Sequence, residues 1–361
     1  MPRVNSKNLF NFTLTGEYDD DVAVASAEMA KKFTEAGEEG MKFMAELAEV
    51  TNKHDAESNK KYVNIMRAVM DDFMKPLYKH PLLDEASKNV EESELKVPTN
   101  HDGNFEVPVF IYTSKNLQQK EKKNVAYIYA HGGGAIGLSA NLYKPLLAHY
   151  AIECNVVVFN VDYRLAPETK CPNNVKDFYE VIKYVHQNAD SLGIDASKIV
   201  IGRESGGGYI CLGSMVLLAQ KNEGDLVKVA IPAIAMTDDY AYSDPACMTI
   251  EEREHNEAMR KTWKLIADDF EKQKSDPLLF PGKSSDELLE KFPPTIIKES
   301  EFDMFITETT RLANRLRRAG RLLELMVIPG GKHVSTMDPR MKNFKVAMDA
   351  IKLAFEEYVH N

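Results

Sequence analysis

The sequence predicts an α/β fold: a mostly parallel sheet of eight strands, flanked by helices and roofed by a helical cap. Three observations carry this. Short apolar runs without alternation recur along residues 124–330, as strands buried on both faces do. Helical stretches separate them, the order that winds a parallel sheet right-handedly. One connection is more than fifty residues long, too long for a simple crossover, and marks an insertion.

Residues 1–91 come first and read as helical. "DDDVAVASAEMAKKFTEAGEEGMKFMAELAEV" and "NKKYVNIMRAVMDDFMKPLY" space apolar residues at threes and fours between charges. Their methionines (Met29, Met41, Met44, Met66, Met70, Met74) form a stripe that suits a core or an adaptable apolar wall. Near residue 92 the period changes to two: "SELKVPT" and "NFEVPVFIYT", joined by "NHDGN", read as a hairpin. The buried strands follow as "NVAYIYA", "CNVVVFNV", "KIVIG", "VKVAIPAIAM", "PTIIKE" and "LELMVIPG". "NNVKDFYEVIKYVHQNAD" and "TETTRLANRLRRAG" are helices between them, and the arginines of residues 311–321 form a solvated helix face. The expected division is a helical segment at 1–91 that contributes to the cap, a first core part at 92–236, a cap insertion at 237–291 and a second core part at 292–361. The insertion carries the charged helical stretch "TIEEREHNEAMRKTWKLIADDFEKQ".

Composition narrows the function classes. The chain has 361 residues, 44% of them hydrophobic, and can bury a sizeable core. Its net charge of −10 opposes nucleic-acid binding. No run approaches the ~18 apolar residues of a membrane span, and the N-terminus lacks a secretory apolar stretch. Cys154, Cys171, Cys211 and Cys247 are scattered, without zinc or disulfide spacing, which points to a reducing, cytoplasmic setting. The sequon at Asn11 is then a chance match. No histidine pair has ligand spacing, so no metal site is expected.

Two glycine-rich stretches carry the chemistry. "HGGGAIG", from His131, follows a strand; its backbone N–H groups suit close approach to a ligand, above all an oxyanion. "IGRESGGGYI" lies between the strand "KIVIG" and the apolar helix "GGGYICLGSMVLLAQ", so Ser205 occupies a sharp strand-to-helix turn. The Gly-x-Ser-x-Gly pattern is incomplete there, because Arg203 stands at the first glycine. A serine nucleophile needs a base and an orienting acid. Asp303 follows "PTIIKE" and His333 follows "LELMVIP", both at strand ends, in the chain order Ser, Asp, His. Glu301 competes with Asp303 for the acid's role. His131 belongs to the glycine loop, whereas His149, His186 and His255 lie in helical stretches as structural or exposed residues.

Together "HGGG", "DYRLAPE", "ESGGG", "SDPLLFPG", "FPPTIIKESEFD" and "GGKH" make residues 92–358 resemble the hormone-sensitive-lipase branch of the α/β-hydrolases, which includes arylacetamide-deacetylase-like esterases and bacterial carboxylesterases. The resemblance implies Ser205 as nucleophile, His333 as general base, Asp303 as its orienting acid, and oxyanion N–H groups from Gly133, Gly134 and Gly206. It also implies a cap of N-terminal helices and a late insertion, no cofactor, and a homodimer through the strand "LELMVI". Arg164 and Glu168 of "DYRLAPE" would brace that loop. This chain departs from the family pattern at Arg203, at Glu204 and Gly206 beside the serine, and at Val334, where glycine is usual after the histidine.

The expected function is a serine carboxylesterase acting on small to medium acyl esters. The alternative is a catalytically weak small-molecule-binding protein, as in the gibberellin receptors of this fold, which lack the catalytic histidine. Arg203 raises that alternative and His333 opposes it. Arg203 is expected to lean away from the serine, toward Glu204 or solvent.

Overall fold

The computed structural model describes residues 46–47, 49–101, 103, 105–117, 123–239 and 259–360. The helical reading of residues 1–45, with Met29, Met41 and Met44, the Asn11 sequon, Cys247, His255 and residues 240–258 of the expected insertion lie outside that set.

Eight strands form one sheet: β1 (Val90–Pro98), β2 (Glu106–Ser114), β3 (Asn124–Ala130), β4 (Val157–Val161), β5 (Ile194–Glu204), β6 (Val229–Ala233), β7 (Thr295–Ser300) and β8 (Leu322–Ile328). Their spatial order is β1-β2-β4-β3-β5-β6-β7-β8. β1 and β2 pair antiparallel from Val90↔Ser114 to Pro98↔Glu106, the hairpin expected from "NHDGN". β2 also meets β4 antiparallel, and the pairings from β4 through β3 to β8 are parallel.

The central strands are apolar on both faces because each face carries helices. Ala126, Ile128 and Ala130 join one core with α4 (Asn173–Gln187) and α5 (Gly206–Gln220). Val125, Tyr127 and Tyr129 point into the other, with α2 (Pro81–Lys88), α3 (Lys144–Glu153) and the C-terminal helix α7 (Lys342–Phe355). Between them in sequence, α6 (Ile306–Arg318) buries Leu312, Ala313 and Leu316 and leaves Arg311, Arg317 and Arg318 in solvent, as its spacing requires. Fourteen of the fifteen α5 residues are buried; each large aliphatic side chain there contributes ~1.5–3 kcal/mol by leaving water.

Two boundaries differ from the sequence reading. β5 does not end at Gly202 but runs through Arg203 and Glu204, which pair with Pro232 and Ala233 of β6. In the charged stretch expected to be helical over 249–273, the described helix occupies 259–266, and Ala267 then bridges to Cys171.

The helical layer above the sheet contains α1 (Ala56–Leu77) and residues 46–47, 49–52 and 259–266. The buried Lys261 ammonium ties these pieces, donating to the carbonyls of Val50 (2.6 Å) and Lys53 and lying over the Tyr62 ring. Met74 is buried, and Met66 and Met70 pack against the core from its edge. Among the described residues no helix is long and apolar enough to cross a membrane.

Candidate active site

Ser205 sits where β5 gives way to α5, at φ 55°, ψ −120°. That backbone region is unfavourable for a side chain bearing Cβ and persists only when the surroundings impose it. Here the Ser205 N–H donates to the carbonyls of Ala233 (3.0 Å) and Ile234 (3.1 Å), while its own carbonyl accepts from Tyr209 N (3.0 Å). Three glycines make the turn fit. A Cβ on Gly206 would lie 2.5 Å from Gly134 N; on Gly207 it would strike the carbonyls of Ala130 and His131; on Gly208 it would strike Ala235.

The other two residues of the expected set arrive from neighbouring strand ends. Asp303 lies past β7 and His333 past β8. His333 Nε2 is 3.0 Å from Ser205 Oγ, and His333 Nδ1 is 2.8 Å from Asp303 Oδ2. The buried Asp303 carboxylate also accepts the Phe305 N–H on Oδ1 at 2.9 Å, so both of its oxygens are held. With Nδ1 protonated toward Asp303, Nε2 is free to accept the serine proton. Phe305 stands edge-on to the imidazole, with ring centroids 5.3 Å apart. Glu301, the competing acid, instead accepts the Gly330 N–H at 2.9 Å and holds the loop that carries His333.

The glycine loop has its carbonyls turned and bonded. His131 Nδ1 meets Gly132 O at 2.8 Å, and Gly133 O accepts from Ile136 N (3.1 Å) and Gly137 N (3.0 Å). Because each peptide is trans and planar, a carbonyl held on one side aims the next N–H to the other. Those two bonds therefore direct the N–H groups of Gly133 and Gly134. Gly133 has φ 107°, and a Cβ there would collide with Gly137 O, so glycine is required. His131 is buried and stacks on Tyr163 at 4.5 Å; its place is structural, within the loop. His149 is also buried, stacked on Phe344, and His186 lies in the last turn of α4.

Arg203 is fully buried. Its guanidinium donates to the hydroxyls of Tyr127 and Tyr150, both at 3.1 Å, and pairs with the carboxylate of Glu204. The rings of Tyr129 and Tyr150 flank it at 5.4 and 5.2 Å. Glu204 in turn accepts the Tyr129 hydroxyl at 2.5 Å. The expectation that Arg203 turns toward Glu204 matches this arrangement; the option of solvent does not. Room for the long cation comes from tyrosines on β3 and α3, which no local pattern reveals.

Sequence reasoning also missed two charges inside β7. Lys298 is buried and donates to Thr336 Oγ1 at 2.8 Å, in the turn just after His333. Burial, with the neighbouring Arg203 charge, pushes its ammonium down to about 8. Burial, reinforced by the Asp303 charge, raises the Glu299 carboxyl well above the usual range. Glu299 therefore keeps its proton to higher pH than an exposed glutamate does. The signal was present in "PTIIKE", where two charges end an otherwise apolar buried strand. Of the "DYRLAPE" pair, Arg164 binds Asp177 through Nε (2.9 Å) and a terminal nitrogen (2.7 Å), and Glu168 binds Arg67 of α1.

Comparison with known proteins agrees with this fold. A family model described as the alpha/beta hydrolase fold matches residues 127–337. The chain is 25% identical over 284 residues to an esterase of Gibberella moniliformis, covering 75% of this chain and 87% of that one. It is 28% identical over 94 residues to mouse hormone-sensitive lipase, a match that spans 26% of this chain and 12% of the relative. Among solved structures, a bacterial heroin esterase superposes with a TM-score of 0.70 at 27% identity, over 82% of this chain and 91% of that one. The chain belongs to the α/β-hydrolase fold family.

Proposed function

We propose that the protein is a serine carboxylic-ester hydrolase acting on small to medium acyl esters through an acyl-enzyme. The observation that carries this reading is the continuous hydrogen-bonded line from Ser205 Oγ through His333 to Asp303, at 3.0 and 2.8 Å. In the first half-reaction Ser205 Oγ attacks the ester carbonyl carbon as His333 Nε2 takes the hydroxyl proton. The carbonyl oxygen becomes an oxyanion, met by the N–H groups of Gly133, Gly134 and Gly206. Collapse expels the alcohol, protonated by His333, and leaves the acyl group on Ser205. Water, deprotonated by His333, then attacks the acyl carbon and releases the acid and the free serine. Asp303 holds the ring tautomer and balances the imidazolium throughout. The esterase names of the relatives support the ester as substrate class.

Ser205→Ala is expected to lower kcat on p-nitrophenyl butyrate by ~10⁴-fold or more. A fluorophosphonate should add one phosphonyl group to Ser205, read by mass spectrometry. Equal rates for the two proteins would sink the proposal. The alternative of a weakly catalytic binding protein rested on Arg203; its guanidinium lies with Tyr127, Tyr150 and Glu204, so no observation now favours that reading.

Three further parts belong to this proposal. Of the two expected cap segments, α1 and residues 259–266 supply the cap. Cys154, Cys171 and Cys211 are free thiols, which supports a cytoplasmic setting. A homodimer forms through the edge strand β8, where Leu323 and Leu325 are exposed; a monomer at micromolar concentration in sedimentation removes that element.

A further inference from the structure

We infer that Arg67, on helix α1, is a positioning residue that aims and strengthens the Gly134 N–H as an oxyanion donor. The inference rests on the esterase reading above. Arg67 reaches three separate groups. Its Nε donates to Ile136 O at 2.7 Å, one terminal nitrogen donates to Ala166 O at 3.2 Å, and the fork grips Glu168 at 2.9 and 2.7 Å. Ile136 and Ala166 belong to the two loops beside Ser205, and these are already joined by the bond from Ala166 N to Ala135 O at 2.8 Å.

The bond to Ile136 begins a chain of peptides. Ile136 O and Gly137 N–H are the two ends of one peptide unit. Gly137 N–H donates to Gly133 O at 3.0 Å, and Gly133 O shares its peptide with Gly134 N–H. The sequence is therefore guanidinium to Ile136 O, Gly137 N–H to Gly133 O, and out through Gly134 N–H toward the site. A charged donor at the head of such a chain polarises each amide in turn, so the last N–H carries more positive charge. Gly137 is pressed against Arg67 Cγ (3.3 Å from where a Cβ would stand) and Met70 Sδ (3.1 Å), so α1 also fixes the loop mechanically.

Glu168 keeps the fork in register, and the guanidinium beside it holds its carboxyl below the usual range. Yet the Glu168 side chain is 62% exposed, and an exposed ion pair adds little stability. The weight of Arg67 therefore rests on its bonds to Ile136 O and Ala166 O rather than on the ion pair.

The test uses the full-length protein with p-nitrophenyl butyrate. Arg67→Gln is expected to lower kcat ~10- to 100-fold, short of deleting a donor outright, with KM within about twofold. Affinity for a trifluoromethyl ketone, which forms the oxyanion adduct, should fall in the same ratio as kcat. Methylguanidinium should restore part of the rate to Arg67→Ala. Glu168→Gln leaves Arg67 in place and should cost a smaller factor, about threefold; it serves as the variant if Arg67→Gln does not fold. Unchanged kcat in Arg67→Gln overturns the inference, as does a kcat loss without a matching loss of ketone affinity. An active wild type with an equally active Arg67→Gln sinks this inference alone, whereas a wild type no faster than Ser205→Ala sinks the esterase reading and this inference with it.

Discussion

Arg203 occupies a position where the fold ordinarily wants glycine, and it is tolerated because its charge is balanced by Glu204 and one terminal nitrogen is hydrogen-bonded to two tyrosines. Tyr127 and Tyr150 accept its hydrogen bonds, Glu204 supplies the countercharge, and two rings face the guanidinium plane. Removing one partner of a buried pair strands the other, at a cost of ~3–5 kcal/mol. Arg203→Gly is thus expected to lower unfolding free energy by ~3 kcal/mol or more in urea titration and not to raise esterase activity. A many-fold faster Arg203→Gly enzyme, or one within ~1 kcal/mol of wild type, would show that the arginine is a brake or an idle side chain. Arg203→Lys should rescue little, since an ammonium lacks the planar fork that reaches two hydroxyls and a carboxylate together. The neighbouring departure, Val334, has a different physical meaning. It sits at φ 58°, the left-handed region that explains why glycine is usual there, and nothing about valine itself announces the strain. Ser205, Asp303 and His333 could be named from the sequence because each follows a recognisable strand. The tyrosine partners of Arg203 lie 76 and 53 positions away in sequence, on β3 and α3, and no pattern joins them.

The strands and helices were legible where burial imposes a period, and blurred where a single residue decides the boundary. β3 and α5 have the limits their apolar runs predict. β5 outruns its apolar run by two residues because Arg203 and Glu204 find partners inside the protein. β7 shows the same effect with a consequence for pH. Lys298 titrates near 10.5 in the unfolded chain and near 8 when folded. Between those values the unfolded chain binds more protons, so this group's contribution to stability grows as pH rises across the window. It is fully present above 10.5 and is lost as pH falls through 8. The stability advantage of wild type over Lys298→Met should therefore widen between pH 8 and 10.5, by urea titration at each pH. A constant difference across that range would mean that Lys298 keeps an ordinary pKa behind the histidine loop. The same comparison below pH 7 is a control, because Lys298 is charged there in both states.

At the scale of the molecule, residues from distant parts of the chain must be brought together twice over, once below and once above the site. Below, the parallel sheet does this by geometry: strand ends share one edge, so Ser205, Asp303 and His333 meet although 128 positions separate the first and last. Above, no sheet exists to do it, and residues 46–47 and 49–77 join 259–266 through side chains. Lys261 is the central tie, and its partners Val50 and Lys53 lie 211 and 208 positions away. Tyr62 adds a second link, its hydroxyl 3.3 Å from Thr262 Oγ1, and the Thr262 methyl comes 3.6 Å from where a Cβ on Gly134 would stand. A charged donor bonded to two carbonyls, one of them on the buried Val50, holds the layer by ~1.5–3 kcal/mol per bond, while the sheet below keeps its own packing. Lys261→Met should then raise amide exchange across residues 49–66 by tenfold or more and leave β3, β4 and β5 unchanged, in hydrogen-exchange mass spectrometry. Faster exchange throughout the sheet would show instead that the helical layer and the core open as one unit. Unchanged exchange at 49–66 would place the tie elsewhere, in the apolar contacts of Tyr62, Val63 and Trp263.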